Sequence, residues 1–347
     1  MYRFCLMMLL IMTATACSSE EAGKKEKRTQ EKTKILAQNL NVPWQLDFYN
    51  GETYISERTG MMTKVTGQGK KIPVSLTLSK KVLSEGEGGF LGFVFDPEAG
   101  ENHRAYAYYT YREKGKVYNR IISLKTGQDS LKEERVLLEK IPGGSIHNGG
   151  RIKFGPDGKL YATTGDSGDD SLAQEKDSLG GKILRMNADG SIPKDNPFTD
   201  SYVYSYGHRN PQGLAWEGKK MFSSEHGSTN YDEINVIKAG KNYGWPVIKG
   251  DESKENMEKP LLHSDRETWA PSGIAVKDSK IYIASLRGEK IFRVNTSGKQ
   301  METVASNYGR LRDVQVHNGS LYFITNNKDG RGTPKKNDDK MLEMSSF

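Results

Sequence analysis

Apolar and polar positions alternate along this chain in short runs, and the runs recur in triplets. The first run of each triplet reads WQLDF, FLGFVF, RIKF, GLAW, GIAV and DVQV in turn. The second surrounds Tyr54, Tyr106, Tyr161, Phe222, Tyr282 and Tyr322, and the third reads MMTKVT, NRIISL, KILRM, EINVI, KIFRV and KMLEM. A period of two sends successive side chains to opposite faces, which marks strands rather than helices. Repeats of roughly 40 to 60 residues built only of short strands predict an all-β fold of the β-propeller type, with about four strands to a blade. Six triplets predict a six-bladed β-propeller. Fourth strands are clear at KIPVSLTL, ERVLLEKI and METVASN and fainter near Tyr202 and Leu261. The sixth triplet runs out at Phe347, so TKILAQNL (Thr33 to Leu40) is expected to supply its missing strand from the N-terminus. That closure removes an open edge. A two-sheet sandwich is the alternative architecture.

One hairpin carries candidate chemistry. In HNGGRIKFGPDGKLYATTGD, the turn Pro156-Asp157-Gly158 joins a strand ending at Phe154 to one running from Leu160 to Thr164. Proline presets one turn dihedral and glycine supplies the positive one. A hairpin returns its end to the edge where it began, so His147 and Asp166 are expected on one rim.

The first residues read as an address. Arg3 precedes the apolar run Phe4 to Met12, and Ala14-Thr15-Ala16 leads into Cys17. This pattern predicts a lipoprotein-type signal peptide over 1–16, a lipidated Cys17 that anchors the chain to the membrane, a charged flexible tether over 17–32, and a propeller over 33–347. The expected location is the bacterial cell envelope. With Cys5 lost in the leader, no intramolecular disulfide remains possible. The net charge of +7 is spread among mixed Lys, Glu and Asp, which argues against nucleic-acid binding.

Loops that lead into the first strands and loops that leave the second strands share one end of the predicted channel. They carry Glu57-Arg58, Glu87, His147, Asp166, Arg209-Asn210, Glu225-His226-Gly227, Arg287, Arg310-Leu311-Arg312 and Asn326. The opposite rim offers only turn residues such as Asp157-Gly158 and Asp278-Ser279. Arg209, Arg287, Arg310 and Arg312 around one cavity would repel each other without an anionic ligand, and arginine grips carboxylates with a planar fork. The rim therefore asks for a small polyanion beside a histidine base. His208 and His226 are expected to be structural.

The stretches NVPWQLDF, GEGGFLGFVFDP, HNGGRIKFGPDGKLYATTGD, YGHRNPQGLAW, DEINVIKAGKNYGWPVI and GRLRDVQV resemble the glucose/sorbosone dehydrogenase family, soluble aldose sugar dehydrogenases that use pyrroloquinoline quinone (PQQ). The resemblance spans about Asn41 to Asn326. It implies that His147 is the general base that takes the anomeric hydroxyl proton of an aldose. It also implies that Arg209 and Asn210 polarise the reacting carbonyl, and that Arg287, Arg310 and Arg312 hold the cofactor carboxylates. Glu87 stands in the cofactor site where a glutamine is usual, Ser228 where a proline is common, and Arg287 where some members have lysine. Calcium is implied too, at the carbonyls of Gly227 and Ser228 and at Glu233 with Tyr243. The electron acceptor stays open. Two other classes fit a propeller of this kind: a non-catalytic envelope protein that binds a sugar or protein, and a calcium-dependent lactonase-type hydrolase.

Overall fold

Valine, isoleucine, tyrosine and phenylalanine fill the alternating runs, and such residues suit a pleated, half-buried surface. The computed structural model describes residue 1 and residues 33–98 and 104–347. The leader, Cys17 and the tether over 17–32 lie outside the described residues, apart from residue 1.

The described chain is all-β with almost no helix. After β1 (Thr33–Ala37) come β2 (Pro43–Tyr49), β3 (Glu52–Glu57), β4 (Met61–Val65) and β5 (Lys71–Thr77), each antiparallel to the next. The next set is β6 (Phe90–Phe95), β7 (Arg104–Glu113), β8 (Lys116–Thr126) and β9 (Ser130–Pro142). Three further four-stranded sheets follow in chain order. They are β10 (Ile152–Phe154) to β13 (Val203–Tyr206) with β11 (Leu160–Thr164) and β12 (Lys182–Met186) between, and β14 (Pro211–Glu217), β15 (Lys220–Glu225), β16 (Glu233–Ile237) and β17 (Leu262–His263). The third is β18 (Pro271–Lys277), β19 (Lys280–Ser285), β20 (Lys290–Asn295) and β21 (Glu302–Ser306). The chain finishes with β22 (Leu311–His317), β23 (Ser320–Thr325) and β24 (Met341–Met344). β1 pairs antiparallel with β24, Thr33 opposite Met344 and Ile35 opposite Leu342. One departure from the repeat pattern is a parallel pairing of β5 with β9, Ser75 to Ser130 and Thr77 to Lys132, which fuses two sets into an eight-stranded sheet.

The first strands pack beside one another: β2 touches β6 and β22, and β18 touches β14 and β22. Close approach explains two of their glycines. A Cβ on Gly213 would lie 2.3 Å from the Ser272 carbonyl oxygen, and one on Gly273 would lie 1.8 Å from the Asp313 carboxylate. Between the sheets, Tyr106, Tyr108, Tyr109 and Tyr111 are wholly buried. The Tyr108 hydroxyl donates to the Asn148 carbonyl at 2.9 Å, which ties the core to the loop beside His147. Along the first strands lies a buried ion pair, Arg151 to Asp313 at 3.1 Å. Asp313 also accepts the Leu46 N–H, and Arg151 lies 4.3 Å from the ring centre of Trp44.

The opposite mouth differs from the sequence expectation of turn residues alone. A cavity of about 900 Å³ lies there, lined by Phe48, Phe95, Phe154, Trp216 and Val316, with Asp47, Lys153 and Gln315 among them. These aromatics sit at or near the ends of the first strands, at equivalent points of four successive repeats, and Val276 and Val316 continue the series in the last two.

Candidate functional site

His147 sits in a strained backbone, with φ of 54° in the left-handed region that a residue with a side chain seldom adopts. Its N–H donates to Glu87 Oε2 at 2.9 Å, and its carbonyl accepts the Ser167 N–H at 3.1 Å. Glycines make the fit possible: a Cβ on Gly165 would fall 1.9 Å from the His147 carbonyl oxygen. The side chain is 13 % exposed, and Nδ1 lies 2.6 Å from Asp166 Oδ1. Asp166 also accepts from Gly168 N–H at 2.8 Å and Trp245 Nε1 at 2.9 Å. A carboxylate that collects donors in this way fixes the proton on Nδ1, which leaves Nε2 as the basic nitrogen.

Glu87, His147, Arg209, Asn210, Arg287 and Arg310 line one cavity of about 540 Å³, with Gly227, Ser228 and His226. Arg312 lies in a small adjoining cavity beside Arg58, Trp44 and Asp329. Glu233 and Tyr243 line another, beside Glu225 and Trp245. The rim candidates thus lie together in three adjoining cavities of different chemistry.

Several side chains reach the cavity with spare hydrogen-bonding capacity. Asn210 Oδ1 accepts the Gly149 N–H at 3.0 Å, while its Nδ2 is buried without a partner. Arg209 Nε, Arg312 Nε and His226 Nε2 are likewise buried and unpaired. Buried polar groups without partners are uncommon and costly, which makes them pointers to a ligand. Burial pushes the His226 imidazole down to about 4, despite Asp232 and Glu87 nearby, so it faces the cavity as a neutral ring. His226, expected to be structural, thus lines the cavity with Nε2 unpaired. His208 does bridge Ser205 and Glu225, with both ring nitrogens occupied.

The arginines are not left to repel one another. Asp329 Oδ2 accepts from Arg310 Nε at 3.0 Å and Nη2 at 2.8 Å, and lies 4.0 Å from Arg312 Nη2. Arg312 Nη1 donates to Gln212 Oε1 at 2.7 Å. Burial first, then the cationic neighbours Arg310, Arg58 and Arg151, push Arg312 down to about 9, with Asp329 opposing. Glu87 is compensated as well: its Oε1 accepts Arg331 Nη1 at 2.7 Å. Arg287 is exposed at the mouth. Arg209 donates from Nη1 to the Gly227 carbonyl at 2.6 Å and stacks 5.2 Å from the Trp245 ring.

The metal positions fare differently. The Gly227 carbonyl accepts Arg209 Nη1 at 2.6 Å, which leaves its second lone pair available. A guanidinium thus borders the Gly227–Ser228 pair whose carbonyls were expected to grip a calcium ion, and Ser228 is exposed. The Tyr243 hydroxyl is engaged, donating to the Val236 carbonyl at 2.6 Å and accepting the Lys238 N–H at 2.8 Å, so its backbone carbonyl is the oxygen that would serve a cation. Glu233 is more than a solvated strand-edge carboxylate. Burial, and then the cross-strand neighbour Glu225, push it up to about 8. Among the described residues, no three His, Cys, Asp or Glu side chains assemble as a metal site.

Trp245, Asp329 and Arg331 escaped the sequence reading. Trp245 was visible within NYGWP, but nothing in its spacing announces a contact with Asp166, 79 positions earlier. Asp329 and Arg331 lie in a charged stretch that resembles any solvated loop.

Comparison with known proteins bears on this geometry. The family model for glucose/sorbosone dehydrogenase matches residues 40–333. Quinoprotein glucose dehydrogenase B of Acinetobacter calcoaceticus is 33 % identical over 62 % of this chain and 52 % of its own length. An aldose sugar dehydrogenase of Escherichia coli is 28 % identical over 85 % of this chain and 90 % of that protein. The PQQ-bound aldose sugar dehydrogenase of Streptomyces coelicolor superposes with a TM-score of 0.83 at 39 % identity, covering 90 % of this chain and 98 % of that one.

Proposed function

The chain belongs to the glucose/sorbosone dehydrogenase family and is an oxidoreductase of that kind; from this premise we propose that it oxidises an aldose at the anomeric carbon to the lactone with PQQ. The carrying observation is the His147–Asp166 pair facing a cavity ringed by arginines. We read the sheets as a six-bladed propeller closed by β1, a reading supported by the β1–β24 pairing and the contact of β22 with β2.

The residues present fit the cofactor. A planar tricarboxylate needs several cations and directed donors, and the cavity supplies Arg209, Arg287 and Arg310, with Arg312 adjoining, besides the unpaired Asn210 Nδ2. When bound, the quinone supplies an acceptor for the hydride that leaves the anomeric carbon. His147 Nε2 takes the hydroxyl proton, so the sugar loses one proton and one hydride and its C–O bond becomes a carbonyl. Asp166 stabilises the imidazolium that results, and Trp245 and Gly168 keep Asp166 aimed at Nδ1. Arg209 and Asn210 orient and polarise the group that receives negative charge.

Calcium stays in this proposal at the Gly227 and Ser228 carbonyls and at Glu233 with Tyr243, where oxygen ligands suit a hard cation and a second carboxylate, Glu225, lies opposite Glu233. Lipid anchorage through Cys17 and an envelope location remain part of the proposal on the leader sequence alone.

The test mixes purified protein with PQQ, calcium and a panel of aldoses and follows dye reduction. Sugar-dependent reduction is expected in the native protein, and His147→Ala should lose at least ~100-fold in rate while still binding PQQ. Lactone hydrolysis without quinone, or sugar binding without turnover, would favour a hydrolase or a binding protein instead. Native-like rates in His147→Ala would overturn the assignment of the base.

A further inference from the structure

One loop of the last repeat, running from Asn326 to Gly332, puts opposite charges against opposite charges at the cavity. Its Asp329 carboxylate, 3 % exposed, clamps Arg310, 7 % exposed, through both Nε and Nη2. Two residues on, Arg331 reaches Glu87 and is 58 % exposed. The two side chains are linked through the backbone, since Asp329 Oδ1 accepts the Arg331 N–H at 2.9 Å.

The loop is built to lie there. Asn327 accepts the Arg310 N–H on Oδ1 at 2.8 Å and donates from Nδ2 to the Tyr308 carbonyl at 3.0 Å, which fastens the loop to the segment before β22. Its own N–H donates to Asp339 at 2.6 Å. At Gly332 a Cβ would come within 2.8 Å of Arg310 Cδ, so the backbone rests on the arginine stem. Asp329 is consequently a fixed part of the site rather than a surface residue that happens to reach it.

We propose that Asp329 is an internal counter-anion of the cavity, occupying arginine donors that an anionic ligand would otherwise share, and that Asp329 and Arg331 together set the affinity for that ligand. The proposal rests on the reading of the cavity as a polyanion site. Its physics is simple. Without a ligand, Arg310 and Arg312 are buried like charges, and Asp329 makes that burial tolerable. With a ligand, the same carboxylate repels each carboxylate that arrives, at short range and in a partly desolvated place. Arg331 works at the other end, where it cancels the repulsion from Glu87. Asp329 therefore trades ligand affinity for stability of the empty protein, and the two quantities should move in opposite directions when its charge is removed.

The test uses the full-length, cofactor-free protein and two probes, PQQ and benzene-1,3,5-tricarboxylate, a redox-inert trianion. Binding is titrated at low and moderate salt, and the melting temperature of the ligand-free protein is recorded. Asp329→Asn keeps the shape and an acceptor oxygen. It should lower the ligand-free melting temperature and tighten both probes by ~10-fold at low salt, with the gain shrinking as salt is raised. A merely structural aspartate would move both readouts downward together. Arg331→Gln, at a largely exposed side chain, covers the case in which Asp329→Asn does not fold. It should weaken both probes by ~3-fold or more.

Unchanged or weaker binding of both probes in folded Asp329→Asn, or unchanged binding in Arg331→Gln, overturns the proposal. So does failure of the native protein and the variants to bind either trianion. If only the tricarboxylate binds and shifts as described, the counter-anion role stands and the PQQ reading falls. If PQQ binds the native protein but the variants do not shift, the reverse holds.

Discussion

Replacing Glu87 by glutamine removes one negative charge from the cavity while keeping the length of the side chain and one acceptor oxygen. Two contacts change. Oε2 accepts the His147 N–H at 2.9 Å, and Oε1 accepts Arg331 Nη1 at 2.7 Å. Hydrogen bonds to charged groups are worth ~1.5–3 kcal/mol and neutral ones about half that, so the first change costs roughly 1 kcal/mol. The second involves an arginine 58 % exposed, and such pairs contribute ~0.2–1 kcal/mol. The ligand-free variant should lose about 1–2 kcal/mol of stability, read from urea unfolding. The pH dependence follows from the direction of the shift. Burial alone would raise the Glu87 carboxyl, but the His147 N–H and Arg331 outweigh it and hold it below its ordinary value of 4.5. A depressed carboxyl stabilises the fold above its unfolded pKa and loses that contribution as pH falls through the folded value. The gap between native protein and variant should be full near neutrality and close as pH falls below the ordinary 4.5. Ligand binding should move the other way. Arg331 is freed, the site gains one positive charge, and one unit charge about 8 Å from a carboxylate at an effective dielectric of ~20 is worth ~2 kcal/mol before screening. Screening at a half-open mouth leaves ~1 kcal/mol, or roughly 3–10-fold tighter PQQ binding at neutral pH. Equal affinity at every pH would mean that the carboxylate lies outside the field of the ligand. Weaker affinity would mean that its hold on His147 and Arg331 organises the site more than its charge opposes the ligand. Either result refutes the reasoning.

Arg310→Ala and Arg312→Ala should each weaken PQQ by ~10-fold and flatten its salt dependence, because a charge-assisted contact is lost; titration at two ionic strengths checks this, and unchanged affinity in both would show that these side chains serve only Asp329 and Gln212. Calcium should raise the melting temperature of the native protein and leave Glu233→Gln unmoved; equal responses, or none in either, would remove calcium from Glu233. At the opposite mouth, burial pushes Asp47 up to about 6 even though it accepts the Phe95 N–H at 2.7 Å. A raised carboxyl favours the fold below its unfolded pKa and loses that contribution as pH rises through the folded value, so Asp47→Asn should match the native protein near pH ~4 and melt higher near pH ~8. A native advantage at high pH would contradict that sign.

Much of the strand pattern was legible in the sequence because strand alternation survives in every repeat. The second strands around Tyr54, Tyr106, Tyr161, Phe222, Tyr282 and Tyr322 all form, with the first strands beside them. The faint fourth strands near Tyr202 and Leu261 turn out short, four residues at β13 and two at β17, and a two-residue strand carries no period to read. The parallel join of β5 to β9 was invisible, since edge pairing depends on backbone placement rather than on side-chain pattern. In the site, His147, Arg209, Asn210 and Arg310 were legible as polar groups at strand ends without a turn role. Asp329 and Arg331 were not, because a charged loop looks the same whether it faces water or folds back on an arginine pair. The cluster of aromatics at the opposite mouth was hidden for another reason. Phe48, Phe95, Phe154 and Trp216 read as ordinary strand residues, and only the convergence of first strands turns them towards one space.

The missed residues change what the site means energetically. A rim of arginines read without Asp329 looks like a vacancy that only a ligand can fill. With Asp329 it is a site already half neutralised, whose remaining imbalance lies in the unpaired Arg312 Nε, Arg209 Nε and Asn210 Nδ2. Each buried donor left unpaired costs roughly 1–3 kcal/mol, and a ligand that satisfies several of them recovers that cost on binding. A ligand present at 100 times its dissociation constant stabilises the fold by about 2.7 kcal/mol through mass action alone. Stability of the empty protein and affinity for its ligand are therefore coupled through the same few groups. Any substitution that quiets the arginines should steady the apo-protein and weaken the grip on the ligand, whereas removing Asp329 should do the opposite on both counts.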